Sequence, residues 1–91
     1  MFEWDQEKNN QLIATRGVSF EAVVSRIEAG EILGIARGKG KFAHQKQFVV
    51  EINHYVYVIP FVEDEFKIFL KTIIPSRKMT KKFLGGKYEK E

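Results

Sequence analysis

KQFVVEINHYVYVIPFV, residues 46–62, decides the fold. Val, Ile, Tyr and Phe dominate its two halves, 46–52 and 55–62, and only Asn53-His54 separates them. Branched and aromatic side chains suit a pleated surface, and a two-residue connection holding a residue that tolerates positive φ is hairpin spacing. The halves should pair antiparallel. Pro60 cannot donate a ladder hydrogen bond, so its nitrogen should face away from a partner strand, near a bulge or a strand end.

On the C-terminal side, Glu63-Asp64-Glu65 reads as an exposed acidic turn. It has no His or further acid at ligand spacing, so it is a solubilising loop rather than a metal site. Residues 66–74 then form a strand in which Phe66, Ile68, Leu70, Thr72 and Ile74 alternate with Lys67, Phe69, Lys71 and Ile73. Pro75 ends that strand. Ser76 can cap a short helix reaching about Leu84, and Gly85-Gly86 stops it, leaving 86–91 as a charged, flexible tail.

On the N-terminal side, Ile32, Leu33 and Ile35 suggest another strand, which runs into the exposed Gly38-Lys39-Gly40-Lys41 loop. Gly38-x-Gly40 lacks the third glycine and the strand-to-helix context of a dinucleotide site. Ser19 can cap a helix in which Phe20, Val23, Val24 and Ile27 fall at i, i+3, i+4 and i+7, and Gly30 ends it. Asp5 can cap a first helix over 6–16, with Leu12 and Ile13 on one face and Gly17 as terminator. A short apolar start at Phe2 and Trp4 precedes it.

The order is thus β-α-α-β-β-β-β-α. It predicts one α+β domain over residues 1–91: an antiparallel sheet of about four strands, two N-terminal helices packed on one face, and a short C-terminal helix laid on that same side. With 44% hydrophobic and 13% aromatic residues, the chain can offset its folding entropy without disulfides or a structural metal. The absence of cysteine excludes a disulfide framework, a thiolate zinc site and a cysteine nucleophile, and fits a cytoplasmic protein. The acidic Met1-Phe2-Glu3-Trp4-Asp5 start is unlike a signal peptide, and no apolar run approaches the roughly 20 residues of a membrane span. Neither export nor membrane insertion is expected.

The net charge of +3 is unevenly spread. Residues 1–35 hold three bases and six acids, net −3. Arg37, Lys39, Lys41 and Lys46 give residues 37–46 a net charge of +4, and seven bases against Glu89 and Glu91 give residues 71–91 a net charge of +5. Clustered cations raise a local potential that attracts phosphate, so a polyanion, RNA above all, is the expected partner.

Three strings carry a family resemblance. They are Phe2-Glu3-Trp4-Asp5 with Lys8-Asn9, Gly17-Val18-Ser19-Phe20-Glu21, and Ile73-Ile74-Pro75-Ser76-Arg77-Lys78-Met79-Thr80-Lys81-Lys82. Together with the element order they resemble the BrnT family of small bacterial toxins, whose fold is related to RelE-type ribonucleases, over about residues 2–88. Arg16 stands where that family commonly has His, and Pro75 where a small residue is usual. The resemblance implies the toxin of a type II toxin–antitoxin pair, a hydrolase that inhibits translation by cutting RNA. It also implies silencing by a small DNA-binding antitoxin through which alone the chain meets operon DNA, and a homo-oligomer or a hetero-oligomer with that antitoxin.

Metal-independent RNA cleavage lets the substrate's own 2′-OH attack phosphorus, so the protein must supply a proton acceptor, a proton donor and cations for the equatorial oxygens. No metal or cofactor is called for. Arg77 is the first candidate for the phosphoryl oxygens, since its planar fork matches two of them and stays charged. Lys78, Lys81 and Lys82 would add charge nearby, and Lys71 and Lys41 would extend the RNA-binding surface, although such lysines can equally form a solvated face. Arg16 either supplies a second phosphate clamp or stabilises the end of the first helix through its dipole. His44 can exchange protons at working pH or be merely exposed. Hairpin geometry suffices to explain His54. Tyr55 and Tyr57 share a strand face and either stack on bases or pack the sheet. Tyr88 is a further catalytic candidate because RelE-like nucleases often place functional residues near the C-terminus. The same basic patch would also serve a non-catalytic RNA- or ribosome-binding module, or a protein that docks an acidic partner.

Overall fold

A computed structural model describes residues 1–38, 40 and 45–88, the last three in backbone only. The elements are β1 (Phe2–Glu3), α1 (Gln6–Arg16), α2 (Phe20–Glu28), β2 (Ile32–Arg37), β3 (Lys46–Ile52), β4 (Tyr55–Glu63), β5 (Ile68–Leu70), β6 (Ile74–Pro75) and α3 (Arg77–Tyr88). The fold is α+β. Among the described residues its sheet has six strands, in the order β1-β5-β4-β3-β2, with β6 also paired to β4. The sheet is mixed rather than purely antiparallel, because β1 runs parallel to β5 with Phe2 opposite Ile68.

The central hairpin forms as expected, with Lys46 to Ile52 opposite Phe61 to Tyr55. Asn53 and His54 both take positive φ, 56° and 66°, which matches the right-handed twist of the strands they join. The expected strand over 66–74 is instead two short strands. β5 pairs with the distal half of β4 and β6 with the proximal half, and the register slips by one residue between them (Phe61↔Leu70 against Val58↔Ile74). Pro60 accounts for the break. Val56 turns its N–H and C=O toward the β6 side, so by the two-residue period Pro60 turns its backbone the same way. Its carbonyl accepts from Lys71 N–H, but there is no N–H to return, and the partner strand loses regular pairing there. Phe66, expected in that strand, stands exposed in the preceding turn.

The strand period divides the core between two faces. Phe48, Val50, Ile52, Ile59, Phe61, Leu70 and Ile73 pack with Leu12, Val18, Phe20 and Val23 beneath α1 and α2. Val49, Val56 and Val58 lie on the other face and pack with Leu84 and Met79 of α3. The C-terminal helix is therefore on the opposite side of the sheet from α1 and α2, because adjacent β4 residues are apolar on both sides and need two covers. Nor does Gly85-Gly86 stop α3, which continues to Tyr88. Glycine in a helix costs about 1 kcal/mol relative to alanine, which the docking of Leu84 and Thr80 offsets.

The junction of α1 and α2 depends on a buried polar residue. Asn9 is fully buried; its Oδ1 accepts from Phe20 N–H at 2.7 Å and its Nδ2 donates to Glu21 Oε1 at 2.7 Å. Ser19 caps the same helix end by accepting from Ala22 N–H, and Asp5 caps α1 through the N–H groups of Glu7 and Lys8. Gly17 closes α1 at φ 68°, a conformation that costs other L-residues roughly 1–2 kcal/mol. Leu12 is buried while Ile13 is exposed, so the inner face of α1 is Asn9 and Leu12 rather than Leu12 and Ile13. Among the described residues no helix is long and apolar enough to cross a membrane.

Candidate nucleic-acid interface

The last helix is tied to the sheet by its first turn. Ser76 N–H donates to the Val56 carbonyl at 3.0 Å, and Thr80 Oγ1 accepts from Val56 N–H at 3.0 Å while donating to the Ser76 carbonyl at 2.7 Å. Ser76 Oγ in turn accepts from Met79 N–H at 3.1 Å and caps the helix. Both backbone groups that Val56 turns outward are thus met, the carbonyl by Ser76 just before α3 and the N–H by Thr80 within it. Thr80 is fully buried, and this fixes which way the rest of the helix faces.

At about 100° per residue, Thr80 and Leu84 define the buried side of α3. Arg77 and Lys81 then lie along one flank, and Lys78 and Lys82 lie opposite the sheet. All four are exposed. Lys82 Nζ lies 5.6 Å from the centre of the Phe83 ring, and among the described residues no acid pairs with Arg77, Lys81 or Lys82.

This charge opposes the helix that carries it. The first turn of α3 holds no acid but has Arg77 and Lys78 at the positive end of the helix dipole. A cation placed there loses about 0.3–1 kcal/mol where an acid would gain as much. A helix selected for stability alone would put Asp or Glu at these positions. A bound phosphate would reverse the sign, meeting both the dipole and the side-chain charges.

The other basic candidates are distributed differently. Lys46 pairs with Glu63 at 3.1 Å and Lys67 with Glu3 at 3.4 Å. Lys71 is exposed, but its backbone bonds Pro60, four residues along β4 from Val56 and so about 13 Å from the start of α3. Arg16 Nη1 donates to the Ile73 carbonyl at 2.5 Å. The guanidinium thereby ties the end of α1 to the segment entering β6, on the α1–α2 side of the sheet, while Arg77 departs on the other. Of the residues expected to act together, Arg77, Lys78, Lys81 and Lys82 converge and Arg16 and Lys71 do not. Lys41 and His44 lie outside the described residues, as does the side chain of Tyr88.

Tyr55 and Tyr57 meet edge to face at 5.8 Å, and Tyr57 packs on the α1–α2 core. His54 Nδ1 lies 3.8 Å from Glu51 Oε2 at the hairpin end. Among the described residues no cluster of three or more His, Asp or Glu could hold a metal ion. An open depression of about 340 Å³ lined by Gln45, Lys46, Phe61, Val62 and Glu63 lies at the far end of β4 from α3. The sequence names Ser76 as the helix cap, which it is, but does not single out Thr80, whose bond to Val56 orients the cationic helix. The signal was a serine and a threonine four apart at the head of a helix, with Leu84 continuing the same side. Compared with protein families, curated proteins and solved structures, the chain finds no match.

Proposed function

We propose that this protein binds RNA along the exposed side of α3 and cuts it without a metal, as the toxin of a toxin–antitoxin pair. The observation that carries this reading is the placement of Arg77 and Lys78 in the first turn of α3, where helix stability argues against cations and phosphate binding argues for them. Lys81 and Lys82 continue the same surface one turn on. The reading agrees with the resemblance to BrnT toxins in the strings containing Asn9, Phe20 and Arg77. On this reading an antitoxin silences the protein by covering Arg77.

Purified protein mixed with cellular RNA in EDTA should generate new RNA ends, and Arg77→Ala should abolish both the cleavage and the growth arrest on expression. Intact RNA together with equal toxicity of wild type and Arg77→Ala would falsify the reading.

A non-catalytic RNA-binding module is the second reading. It is favoured because the sequence-named candidates whose side chains the structure describes, Arg77, Arg16 and the lysines, are all cations, and none of them accepts a proton at neutral pH. Salt-sensitive RNA binding with no new ends would decide for it.

A further inference from the structure

We infer that His54 is the proton acceptor of this site and that Glu51 positions it; the inference rests on the reading of the α3 surface as one that cuts RNA. The placement follows from register. Ile74 lies opposite Val58 and Pro75 opposite Tyr57, and Ser76 continues the series by bonding Val56. Glu51 lies opposite Val56, so by the two-residue period its side chain shares the α3 side of the sheet with Val49 and Val56. Helix α3 begins at Arg77, so its first turn forms beside the end of the sheet that carries the Asn53-His54 turn. Thr80 holds that turn of helix on Val56, about 7 Å along the strand from His54.

The hairpin presents the imidazole outward. The His54 side chain is 95% exposed, while the Glu51 side chain, 33% exposed, sits behind it with Oε2 3.8 Å from Nδ1. At 3.8 Å the carboxylate is not hydrogen-bonded to Nδ1, but its charge favours the tautomer that carries the hydrogen on that side, with Nε2 as the acceptor. The backbone supports a selected residue: His54 sits at φ 66°, where glycine would be unstrained. Glu51 from β3 lies beside the ring, and Arg77 and Lys78 belong to the helix turn that Thr80 bonds to Val56.

In the step proposed, Nε2 of neutral His54 takes the proton of a ribose 2′-OH. The 2′ oxygen forms its bond to phosphorus as the bond from phosphorus to the 5′ oxygen breaks, giving a 2′,3′-cyclic phosphate. The departing 5′ oxygen takes a proton from solvent water, and the imidazolium returns its own to the resulting hydroxide. Arg77 holds the phosphoryl oxygens throughout.

The test measures binding and cleavage of single-stranded RNA in EDTA for wild type and variants. Asn tolerates positive φ, so His54→Asn keeps the turn. It should cut at least about 100-fold more slowly while binding RNA within about twofold of wild type. His54→Gly, which relieves the turn, should be equally slow although no less stable to urea. Glu51→Gln should lower kcat about tenfold at unchanged KM and cause no additional loss when combined with His54→Asn. A His54→Asn protein that cuts at the wild-type rate overturns the inference and leaves the α3 reading standing. Wild type that binds RNA without cutting it also overturns the inference and leaves the binding surface. Wild type that neither binds nor cuts RNA overturns the reading itself.

Discussion

The Thr80 hydroxyl accepts a hydrogen bond from the Val56 N–H at 3.0 Å, so a threonine on α3 occupies the place of a strand partner on β4. β6 has only two residues and cannot reach Val56 as a strand. Thr80→Val preserves shape and leaves the Val56 N–H buried without an acceptor, which costs about 1–3 kcal/mol. Urea unfolding should show that loss. Thr80→Ser, which keeps the hydroxyl, should recover most of it.

Helix α3 runs through Gly85 with nothing within 4 Å of the position a β-carbon would take. Gly85→Ala should therefore stabilise the protein by about 0.5–1 kcal/mol, since alanine loses less backbone freedom and fits the space. If Gly85 instead terminated the helix in a left-handed conformation, the same substitution would destabilise. The sign of the change in thermal midpoint distinguishes the two.

How much of this fold could be read from the chain depends on how local its causes are. The hairpin over 46–62 and the caps at Asp5 and Ser19 are set by side chains within a few residues of one another, and they form where the sequence places them. The split of 66–74 was not legible, although Pro60 announced a bulge, because that bulge falls on the partner strand across the sheet. The side on which α3 lies was likewise hidden: it depends on Val56, Val58 and Leu84 being apolar together across 28 residues. Asn9 was read only as part of a family string, yet it is the buried clamp on Phe20 and Glu21. Two of the three strings are thus tied to the helix junction. In the third, Ser76 and Thr80 hold the helix while Arg77, Lys78, Lys81 and Lys82 remain exposed. Those cations were legible as charge, but their common side was not, because it is fixed by the Thr80 bond to Val56.

Asp64 accepts from the N–H groups of Phe66 at 2.8 Å and Lys67 at 3.0 Å. These bonds, chiefly the one from Phe66, hold its carboxyl below the ordinary value of 3.8. A carboxyl with a lowered folded-state pKa contributes stability that is present above its unfolded value and is lost as pH falls through the folded one. Asp64→Asn keeps an acceptor for the turn and removes the titration. Wild type should therefore be more stable than the variant at pH 7, and the gap should close in acid below about pH 4. A gap independent of pH would show that the charge of Asp64 contributes nothing to the turn.

The RNA binding proposed for α3 must also appear in its salt dependence. Each phosphate neutralised on a single strand contributes about −0.7 to the slope of log affinity against log salt. Lys81 and Lys82 are exposed, and among the described residues no acid competes for them, so each can meet a phosphate. Lys81→Ala combined with Lys82→Ala should lower affinity at 0.1 M salt and flatten the slope by up to about 1.4. Lys46→Ala should leave the slope unchanged, because Lys46 already pairs with Glu63 at the far end of β4. The order of these effects is the sensitive measurement. Net charge alone would make any lysine equivalent to any other, whereas a bound strand along α3 makes Lys81 and Lys82 count and Lys46 not. Equal flattening by both sets of substitutions would reduce the interface to the diffuse attraction of a basic chain for a polyanion.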